Sequence, residues 1–339
     1  SADENGIYAA SIVASHEGIT LEQLNQLIAE CEQLDSSQYE EDSWRAFYEQ
    51  LSIAKEFAAA DPQDSREIRD MYHALEEAKD GVKSIMLDKK FGSAGNQMVI
   101  EEFMTGREVS VLSFVDGKTI RIMTSAQDHK RALDGDQGLN TGGMGTFSPS
   151  PFYTEEVDAF CRKYIYQKTV DAMAAEGREF KGIIFFGLML TPKGPKVLEY
   201  NARFGDPEAQ VVLPRMKNDI IDVFEACVDG TLDQIELEFE DNAAVCVVLA
   251  SDGYPVKYDK GLEIRGLENF KDKEGYYVFH AGTKFKDGKI VTNGGRVLGV
   301  VATGDDLKKA RANAYEAVKL VDFDNKYCRS DIGKAIDEA

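Results

Sequence analysis

The stretch Lys196-Val-Leu-Glu-Tyr-Asn-Ala-Arg-Phe-Gly-Asp-Pro-Glu208 follows a nearly uninterrupted apolar run, Gly182–Thr191. That run is rich in β-forming residues, is bounded by turn residues, and is too short to cross a membrane, so it predicts a buried strand. Pro192–Pro195 predicts a turn, after which residues 196–200 return as an antiparallel strand. The sequence therefore predicts a buried β-hairpin around which the fold is organised.

Polar side chains on the second strand of this hairpin predict a ligand site. Residues two apart share one face of a strand, so Glu199 and Asn201 are expected to project together, and Arg203 follows with the same parity. A carboxylate and an amide oxygen suit a Mg²⁺ ion that also holds substrate phosphates, and a guanidinium binds phosphate or carboxylate. The alternative interpretation is a solvent-facing strand edge with one surface ion pair.

A long predicted loop, residues 127–151, is the second informative stretch. It contains a basic tetrad, Asp128-His-Lys-Arg131, and a glycine-rich run, Asn140-Thr-Gly-Gly-Met-Gly145. Glycine allows backbone amides to approach an anion closely, and long structureless loops are uncommon unless they are functional or disordered. We therefore predict a phosphate site here, with the candidate residues Asp128, His129, Lys130, Arg131, Asn140, Thr141, Gly142 and Gly143.

Composition limits the classes of protein to consider. A chain of 339 residues is expected to form two or three domains, and 43% hydrophobic with 29% charged residues is a globular composition. The formal net charge of −21 opposes binding to nucleic acid or anionic membranes. Five scattered cysteines without metal-site spacing favour a reducing compartment. We therefore expect a cytoplasmic protein with neither nucleic-acid nor membrane partners.

Apolar residues at helical spacing predict three helices between residues 19 and 86. Thr20 is predicted to cap the first helix, and Asp42 or Ser43 to open the second. Three amphipathic helices with short links predict an antiparallel three-helix bundle. This stretch also resembles small three-helix modules found in various bacterial architectures.

From residue 87 the pattern changes to strands. Strands are predicted at Gln97–Phe103, Val109–Val115 and Thr119–Met123, and Asp116-Gly117 is expected to join the last two as a hairpin turn. After residue 241 a smaller, strand-rich unit carries one predicted helix, Leu307–Leu320. The predicted segments are a residual strand at 1–18, the bundle at 19–86, a central region at 87–240 and a C-terminal domain at 241–339.

Taken alone, the segment Ile100-Glu101-Glu102-Phe103 would be an edge strand bearing surface acids. In a nucleotide site, however, a strand edge can pair with adenine through its backbone while a nearby acid holds ribose hydroxyls. The chain has, in order, a strand with acids, a basic and glycine-rich loop, and a Glu-x-Asn hairpin. This order favours a nucleotide site.

Residues 87–333 resemble the phosphoribosylamine–glycine ligases, ATP-grasp enzymes of de novo purine synthesis. Five ordered motifs carry the resemblance: Val99-Ile-Glu-Glu-Phe-Met-Thr-Gly-Arg-Glu108, Gln127-Asp-His-Lys-Arg131, Asn140-Thr-Gly-Gly-Met-Gly145, Glu199-Tyr-Asn-Ala-Arg-Phe-Gly-Asp-Pro-Glu208 and Cys328-Arg-Ser-Asp-Ile-Gly333. The fold implied is an α/β (α+β) ATP-grasp region followed by a strand-rich C-terminal domain that closes over the site, here preceded by the predicted bundle.

The resemblance also implies ligands and roles. ATP and Mg²⁺ (or Mn²⁺) are the implied cofactors, and Glu199 and Asn201 match the metal ligands. Residues 100–103 match the hinge that adenine meets, and Glu108 lies in the nucleotide-facing segment after it. The basic tetrad 128–131 and the loop 140–145 are implied to line the region where glycine and the phosphates meet.

The implied reaction joins glycine to 5-phosphoribosylamine in two steps. Glycine's carboxylate attacks the γ-phosphate to give glycyl phosphate, and the amine of phosphoribosylamine then displaces phosphate to give glycinamide ribonucleotide. Metal and basic groups offset charge on the transferring phosphoryl group. No side-chain nucleophile is required, and the sequence offers no clear Ser-His-Asp or Cys-His arrangement.

The chain departs from the family pattern at its beginning. The family normally starts with a Rossmann-like phosphoribosyl domain and has a lysine-containing, glycine-rich flap, and residues 1–18 match neither. We therefore expect a missing N-terminal domain or a partner to complete the site, and no turnover by this chain alone. Two alternatives remain: a partner-binding protein built on a catalytically empty ligase scaffold, and an ATP-grasp ligase for another carboxylate and amine.

Overall fold

The computed structural model of the chain describes residues 19–39, 41–96, 98, 100, 101 and 104–338. The strand segment predicted at 1–18 lies outside these residues. The chain divides into two compact units, one within residues 12–104 and one over residues 105–339. We call their described parts the helical unit and the sheet unit. Among the described residues, no helix is both long enough and apolar enough to cross a bilayer.

The helical unit contains three helices, α1 (Leu21–Cys31), α2 (Glu41–Ala59) and α3 (Ser65–Gly81). Each helix contacts the other two, around a shared core that includes Leu24, Phe47 and Leu75. The predicted cap of α1 is confirmed, because the Thr20 hydroxyl accepts a hydrogen bond from the Gln23 amide at 3.2 Å. The second helix starts at Glu41, slightly before the predicted opening.

The strand predicted at Gln97–Phe103 is wrong at its described residues, Met98, Ile100 and Glu101, which lie in no regular element. Met98 and Ile100 pack against the helical core. The backbone amide of Met98 donates to the Ser43 hydroxyl at 3.2 Å rather than to a strand. Glu102 and Phe103 lie outside the described residues, so the adenine hinge stays a prediction.

The sheet unit is built mainly from antiparallel strands. Its strands are β1 (Arg107–Asp116), β2 (Ile120–Asp128), β3 (Arg131–Leu133), β4 (Gln137–Asn140), β5 (Gly145–Ser148), β6 (Lys181–Thr191), β7 (Gly194–Asn201), β8 (Ala243–Ser251), β9 (Tyr276–His280), β10 (Thr283–Lys286), β11 (Lys289–Thr292), β12 (Arg296–Gly304) and β13 (Lys326–Tyr327). Its helices are α4 (Glu155–Cys161), α5 (Gln167–Ala175), α6 (Ala209–Val212), α7 (Ile220–Asp229) and α8 (Leu307–Val318). A π-helical turn, Arg162–Tyr166, joins α4 to α5.

Nine strands form one sheet in the order β7-β6-β1-β2-β5-β8-β12-β9, with β13 also paired to β8. The hairpin β6–β7 and the hairpin β1–β2 confirm the two predicted from local pattern. Strand β5 pairs with β2 on one side and with β8 on the other. Strands on both sides of the predicted boundary at 240/241 therefore share one continuous sheet.

The predicted long loop at 127–151 is not structureless. It contains the β3–β4 ribbon and the strand β5. The backbone of the basic tetrad is hydrogen-bonded to this part of the chain. The His129 amide donates to Gly145 O, and its carbonyl accepts from the Met144 amide, both at 2.8 Å. The loop residues are therefore held in a fixed arrangement beside β2.

The strand β1 separates two apolar layers by simple alternation. Val109 and Val111 face a core shared with the helical run from α4 to α5, whereas Leu112 and Phe114 face a core shared with α7. Toward the start of β1, the residues on the face of Leu112 become polar. The candidate functional site lies at this change from apolar to polar residues.

Candidate functional site

Strand register places the predicted metal ligands on this polar face. In the β6–β7 pairing, Glu199 lies opposite Gly187 and Asn201 lies opposite Phe185. Gly187 in turn lies opposite Ser110 of β1. Since Phe185 belongs to the α7 core, Glu199 and Asn201 both project from that face, as the two-residue spacing predicted.

Gly187 provides the room that Glu199 requires. A Cβ atom at this position would lie 2.8 Å from Glu199 Cγ, which is closer than atoms in van der Waals contact. The carboxylate side chain of Glu199 therefore crosses β6 in the direction of β1. The sequence signal for this is Gly187, a glycine in the middle of the apolar strand.

Lys130 brings the acids of neighbouring strands together. Its Nζ lies 2.6 Å from Glu108 Oε2 and 4.0 Å from Glu199 Oε1. Burial disfavours the ammonium form, but the charges of Glu108, Glu199 and Asp128 outweigh it, so the pKa of Lys130 is raised. Lys130 is therefore a cation held among carboxylates, beside the predicted metal ligands.

Asp128 is the least satisfied acid of the site. Its Oδ1 atom is buried, and no group among the described residues donates a hydrogen bond to it. Burial, and then the charge of Glu208, raise the pKa of Asp128 well above its ordinary value. An enclosed oxygen without a donor points to a ligand that carries N–H or O–H groups.

Glu208 was not among the predicted site residues. It is 5% exposed, and its Oε1 accepts a hydrogen bond from Ser110 Oγ at 3.0 Å. Burial raises the pKa of Glu208. Its position in the opening stretch, directly after Pro207, was the available signal, but the pairing with Ser110 spans 98 residues and has no local signature.

The glycine-rich loop does not offer the nest of free backbone amides that was predicted to bind phosphate. The amides of Thr141 and Met144 donate to backbone carbonyls of the basic tetrad. The Gly143 amide donates to Thr141 Oγ1 at 3.0 Å, and the Gly142 amide donates to the Tyr254 hydroxyl at 3.3 Å. These four donors are already used within the protein, and Asn140 pairs with Arg131 across the β3–β4 ribbon.

The glycines instead permit close packing around an arginine that sequence reasoning missed. Arg296 Nη1 donates to Gly142 O at 2.7 Å and to Asp206 O at 2.9 Å. A Cβ on Gly142 would lie 2.9 Å from Arg296 Nη2. Arg296 therefore ties the glycine loop to the turn that carries Glu208. The sequence did mark Arg296 as a candidate, since it directly follows two glycines, which permit close packing.

Gly143 has φ +109°, and a Cβ there would lie 2.5 Å from Pro207 Cδ and 2.6 Å from Asp128 Oδ1. We expect Gly143→Ala to lower the free energy of unfolding by about 2–4 kcal/mol, from backbone strain plus overpacking. Gly177→Ala is the matched control, because Gly177 also has positive φ (+69°) but has nothing within 4 Å of the added atom. It should cost about 1–2 kcal/mol. Urea unfolding measures both, and equal losses would contradict the packing argument.

His129, a predicted site residue of the basic tetrad, bonds with both ring nitrogens to the backbone of other segments rather than to the acids. Its Nδ1 lies 3.1 Å from Gly145 O, and its Nε2 accepts a hydrogen bond from the Gly333 amide at 3.2 Å. Burial, and then the charge of Arg329, lower the pKa of His129. The geometry favours a neutral histidine that holds the C-terminal segment over contact with a substrate.

This pKa shift predicts a pH effect. Because the folded-state pKa lies below the ordinary value of 6.5, the unfolded chain takes up the proton first as the pH falls. The contribution of His129 to stability is therefore fully present above about pH 6.5 and is lost below it. Between pH 7.5 and pH 5.5, the free energy of unfolding measured with urea should fall less in His129→Gln than in the parent protein. An unchanged loss would contradict the prediction.

The predicted arginines lie at the edge of the cluster. Arg131 Nη1 donates to Gly138 O at 2.8 Å within the β3–β4 ribbon. Arg203 is exposed, and its Nη1 donates to Phe204 O at 2.9 Å. Of the two, Arg203 follows the strand that carries Glu199 and Asn201, and its side chain is accessible to solvent.

The donors present fit a Mg²⁺ ion held jointly with substrate. Glu199 is 47% exposed and shares its face with Asn201. Within the described ranges, no group of three His, Cys, Asp or Glu side chains could hold a metal. Two oxygen ligands leave positions for water and phosphate oxygens, as Mg²⁺ prefers.

Comparison with solved structures identifies the class of fold to which the chain belongs. The biotin carboxylase domain of Hydrogenobacter thermophilus 2-oxoglutarate carboxylase superposes with a TM-score of 0.52 at 13% identity, covering 75% of this chain and 54% of its own, which shows the fold. A crystal structure of Thermotoga maritima phosphoribosylamine–glycine ligase superposes with a TM-score of 0.65 at 36% identity, covering 76% of this chain and 63% of that one. The predicted mixed α/β ATP-grasp fold is confirmed.

Sequence comparison identifies the family. The family description "Phosphoribosylglycinamide synthetase, ATP-grasp (A) domain" matches residues 68–209, and "Phosphoribosylglycinamide synthetase, C domain" matches residues 244–335. The chain belongs to the phosphoribosylamine–glycine ligase (phosphoribosylglycinamide synthetase) family. It is 50% identical to the Rhodopirellula baltica phosphoribosylamine–glycine ligase over 257 residues, and 51% identical over 259 residues to the chicken (Gallus gallus) trifunctional purine biosynthetic protein adenosine-3.

These matches cover 76% of this chain, 59% of the Rhodopirellula protein and 26% of the chicken protein. The chain thus spans about three fifths of the single-function ligases that it matches. The family match starts at residue 68, inside α3. The resemblance noted from residue 87 therefore extends upstream into the third helix.

Proposed function

We propose that the sheet unit is the part of a phosphoribosylamine–glycine ligase that binds ATP and activates glycine. The reaction would join glycine to 5-phosphoribosylamine through glycyl phosphate and give glycinamide ribonucleotide. The observation that carries this proposal is Lys130 set between Glu108 and Glu199 on one sheet face, beside the unpaired Asp128 oxygen. Cations and acceptors are thus close together, as phosphoryl transfer to a carboxylate requires.

Glu199 and Asn201 would hold Mg²⁺, or Mn²⁺, with ATP. When bound, the metal would neutralise charge on the β- and γ-phosphates. Lys130 is placed to contact the transferred phosphoryl group, because its ammonium lies 4.0 Å from Glu199. Arg203 is exposed on the following turn and can bind a phosphate or glycine's carboxylate as a planar donor.

Asp128 is the proposed acceptor for glycine's ammonium group. An ammonium offers three donors, and Asp128 Oδ1 is an enclosed acceptor without a donor among the described residues. Binding of the cation would favour the ionised form of Asp128, which burial and then the charge of Glu208 otherwise disfavour. Gly143 lies against this carboxyl group, so the glycine loop would shape the substrate pocket rather than bind phosphate.

We propose that complete turnover also needs the part of the ligase that this chain does not span. Phosphoribosylamine has no assigned surface among the described residues, and phosphoryl transfer needs the phosphates held from more than one side. The remaining part of the ligase or a partner would supply both. The net charge of −21 opposes nucleic acid as a partner, and five free cysteines suit the cytoplasm.

Calorimetric titration of the full chain tests the proposal. We expect Mg²⁺-dependent binding of ATP and, in its presence, binding of glycine in preference to alanine or β-alanine. Absence of Mg²⁺-dependent ATP binding would favour the catalytically empty scaffold. Tighter binding of another carboxylate would favour a different ATP-grasp ligase.

Asp128→Asn separates ligand binding from folding. It replaces the carboxyl group with an amide of nearly the same shape, so we expect glycine affinity to fall at least about tenfold while the protein stays folded. Affinity for Mg²⁺-ATP should change little. Unchanged glycine binding in a folded Asp128→Asn protein would refute the assignment of Asp128.

A further inference from the structure

The carboxylates of Glu108, Asp128, Glu199 and Glu208 are called the acid cluster below. A cavity of about 600 Å³ lies on the opposite face of the sheet. One wall is the helical run through α5, with Tyr164, Ile165 and Met173, and the other is formed by β6 and β7, with Ile184 and Tyr200. Tyr200 lies between Glu199 and Asn201 on β7, so its side chain projects to the opposite face from theirs. The cavity therefore lies away from the proposed ligase site, apart from Asn201 at the end of β7, which also lines it.

The size and lining of this cavity suit a small molecule. Small-molecule sites typically have volumes of about 300–1,000 Å³ and apolar or aromatic walls with a few polar groups. Here the polar groups near the wall include the Thr169 hydroxyl, 3.4 Å from the Tyr200 hydroxyl. Tyr164 and Tyr200 are each 53% exposed, so the aromatic walls are accessible from solvent.

The charge at the cavity determines which small molecule it suits. Among the described residues that line it, Lys168 alone is charged. Lys163 adds a second cation near the rim, with its Nζ 4.7 Å from the centroid of the Tyr164 ring. The chain as a whole carries −21, whereas the one charged side chain in the described lining and the nearby Lys163 are both cations. That pattern complements an apolar body with one anionic group.

We propose that this cavity binds a small aromatic carboxylate, with its ring between Tyr200 and Met173 and its carboxylate beside Lys168. The proposal does not rest on the ligase function, because no residue of the acid cluster lines the cavity, and of the proposed metal ligands only Asn201 does. A failed test here would leave the proposed ligase function untouched, and the reverse also holds.

The probe is 1-naphthoate, compared with its neutral analogue 1-naphthalenemethanol, each titrated into the full chain by calorimetry. We expect saturable 1:1 binding of both, with the carboxylate bound about fivefold more tightly, as an exposed ion pair would give. Lys168→Gln should remove this preference and leave affinity for the alcohol unchanged. Lys193→Gln, at the exposed β6–β7 turn, is the control and should keep the preference.

A second pair of variants tests the location. Ala172 lines the cavity and is exposed on α5, so Ala172→Trp should fill the cavity and abolish binding of both probes. Ala174→Trp, exposed on the same helix outside the lining, should bind both probes normally. Thermal unfolding by circular dichroism verifies that each variant is folded. Absence of saturable binding, or binding that survives Ala172→Trp, or a preference that survives Lys168→Gln, would overturn the proposal.

Discussion

Arg329→Met is expected to lower the free energy of unfolding of the sheet unit by about 3–4 kcal/mol, because it removes one partner of a buried ion pair. The Arg329 side chain is 1% exposed. Its Nε and Nη2 donate to the two carboxylate oxygens of Asp331 at 2.7 and 2.9 Å, and its Nη1 donates to Arg131 O at 3.0 Å. The variant would leave Asp331 without its cation and Arg131 O without its donor.

The effect should extend to the functional loop. Asp331 Oδ2 also accepts a hydrogen bond from the Gly135 amide at 2.7 Å, and Tyr327 Oη donates to Ala132 O at 3.0 Å. The motif 328–333 thus holds the β3–β4 ribbon directly after Lys130. We therefore expect Arg329→Met to weaken ligand binding as well as stability.

Urea unfolding followed by circular dichroism measures this loss, with the slope of the transition checked for a change in the surface exposed on unfolding. Arg265→Met is the matched control. Arg265 is 49% exposed and pairs with Asp324 at 2.8 Å, so its loss should cost much less stability than the loss of Arg329. Similar losses in the two variants would show that burial of Arg329 does not carry the effect.

Glu199→Gln is expected to weaken binding of Mg²⁺-ATP about a hundredfold or more, if Glu199 is a metal ligand as proposed. Loss of a partner that only orients a ligand already costs about 10–100-fold in metal affinity. Glutamine has nearly the same shape but lacks the charge that a hard cation prefers. Because Glu199 is 47% exposed, the free energy of unfolding should change by less than about 0.5 kcal/mol.

The same titration in the absence of divalent metal provides an internal control, since metal-free nucleotide binding should not weaken in Glu199→Gln. Glu268→Gln removes an exposed carboxylate elsewhere in the sheet unit and should leave Mg²⁺-ATP affinity unchanged. Full Mg²⁺-dependent binding by Glu199→Gln would remove Glu199 from the proposed metal site.

Local sequence patterns predicted much of the fold. The β6–β7 hairpin follows from an apolar run, a proline-glycine turn and a returning strand. The cap at Thr20 follows from the chemistry of a single residue. The shared face of Glu199 and Asn201 follows from strand alternation. Each of these features depends on residues close together in the chain.

The tertiary structure alone decided how distant segments combine. Ser110 meets Glu208 across 98 residues, and Arg296 meets Gly142 across 154. No local pattern specifies such a pair, because the partners are brought together only when distant segments pack in the folded sheet. For the same reason the glycine-rich loop was predicted as a phosphate nest, although its amides are used within the protein. By itself, the sequence determined the two hairpins, the helix cap and the family. Only the packing of the sheet decided that β3, β4 and β5 form, which polar groups have a partner, and which, like Asp128 Oδ1, are buried without a donor among the described residues.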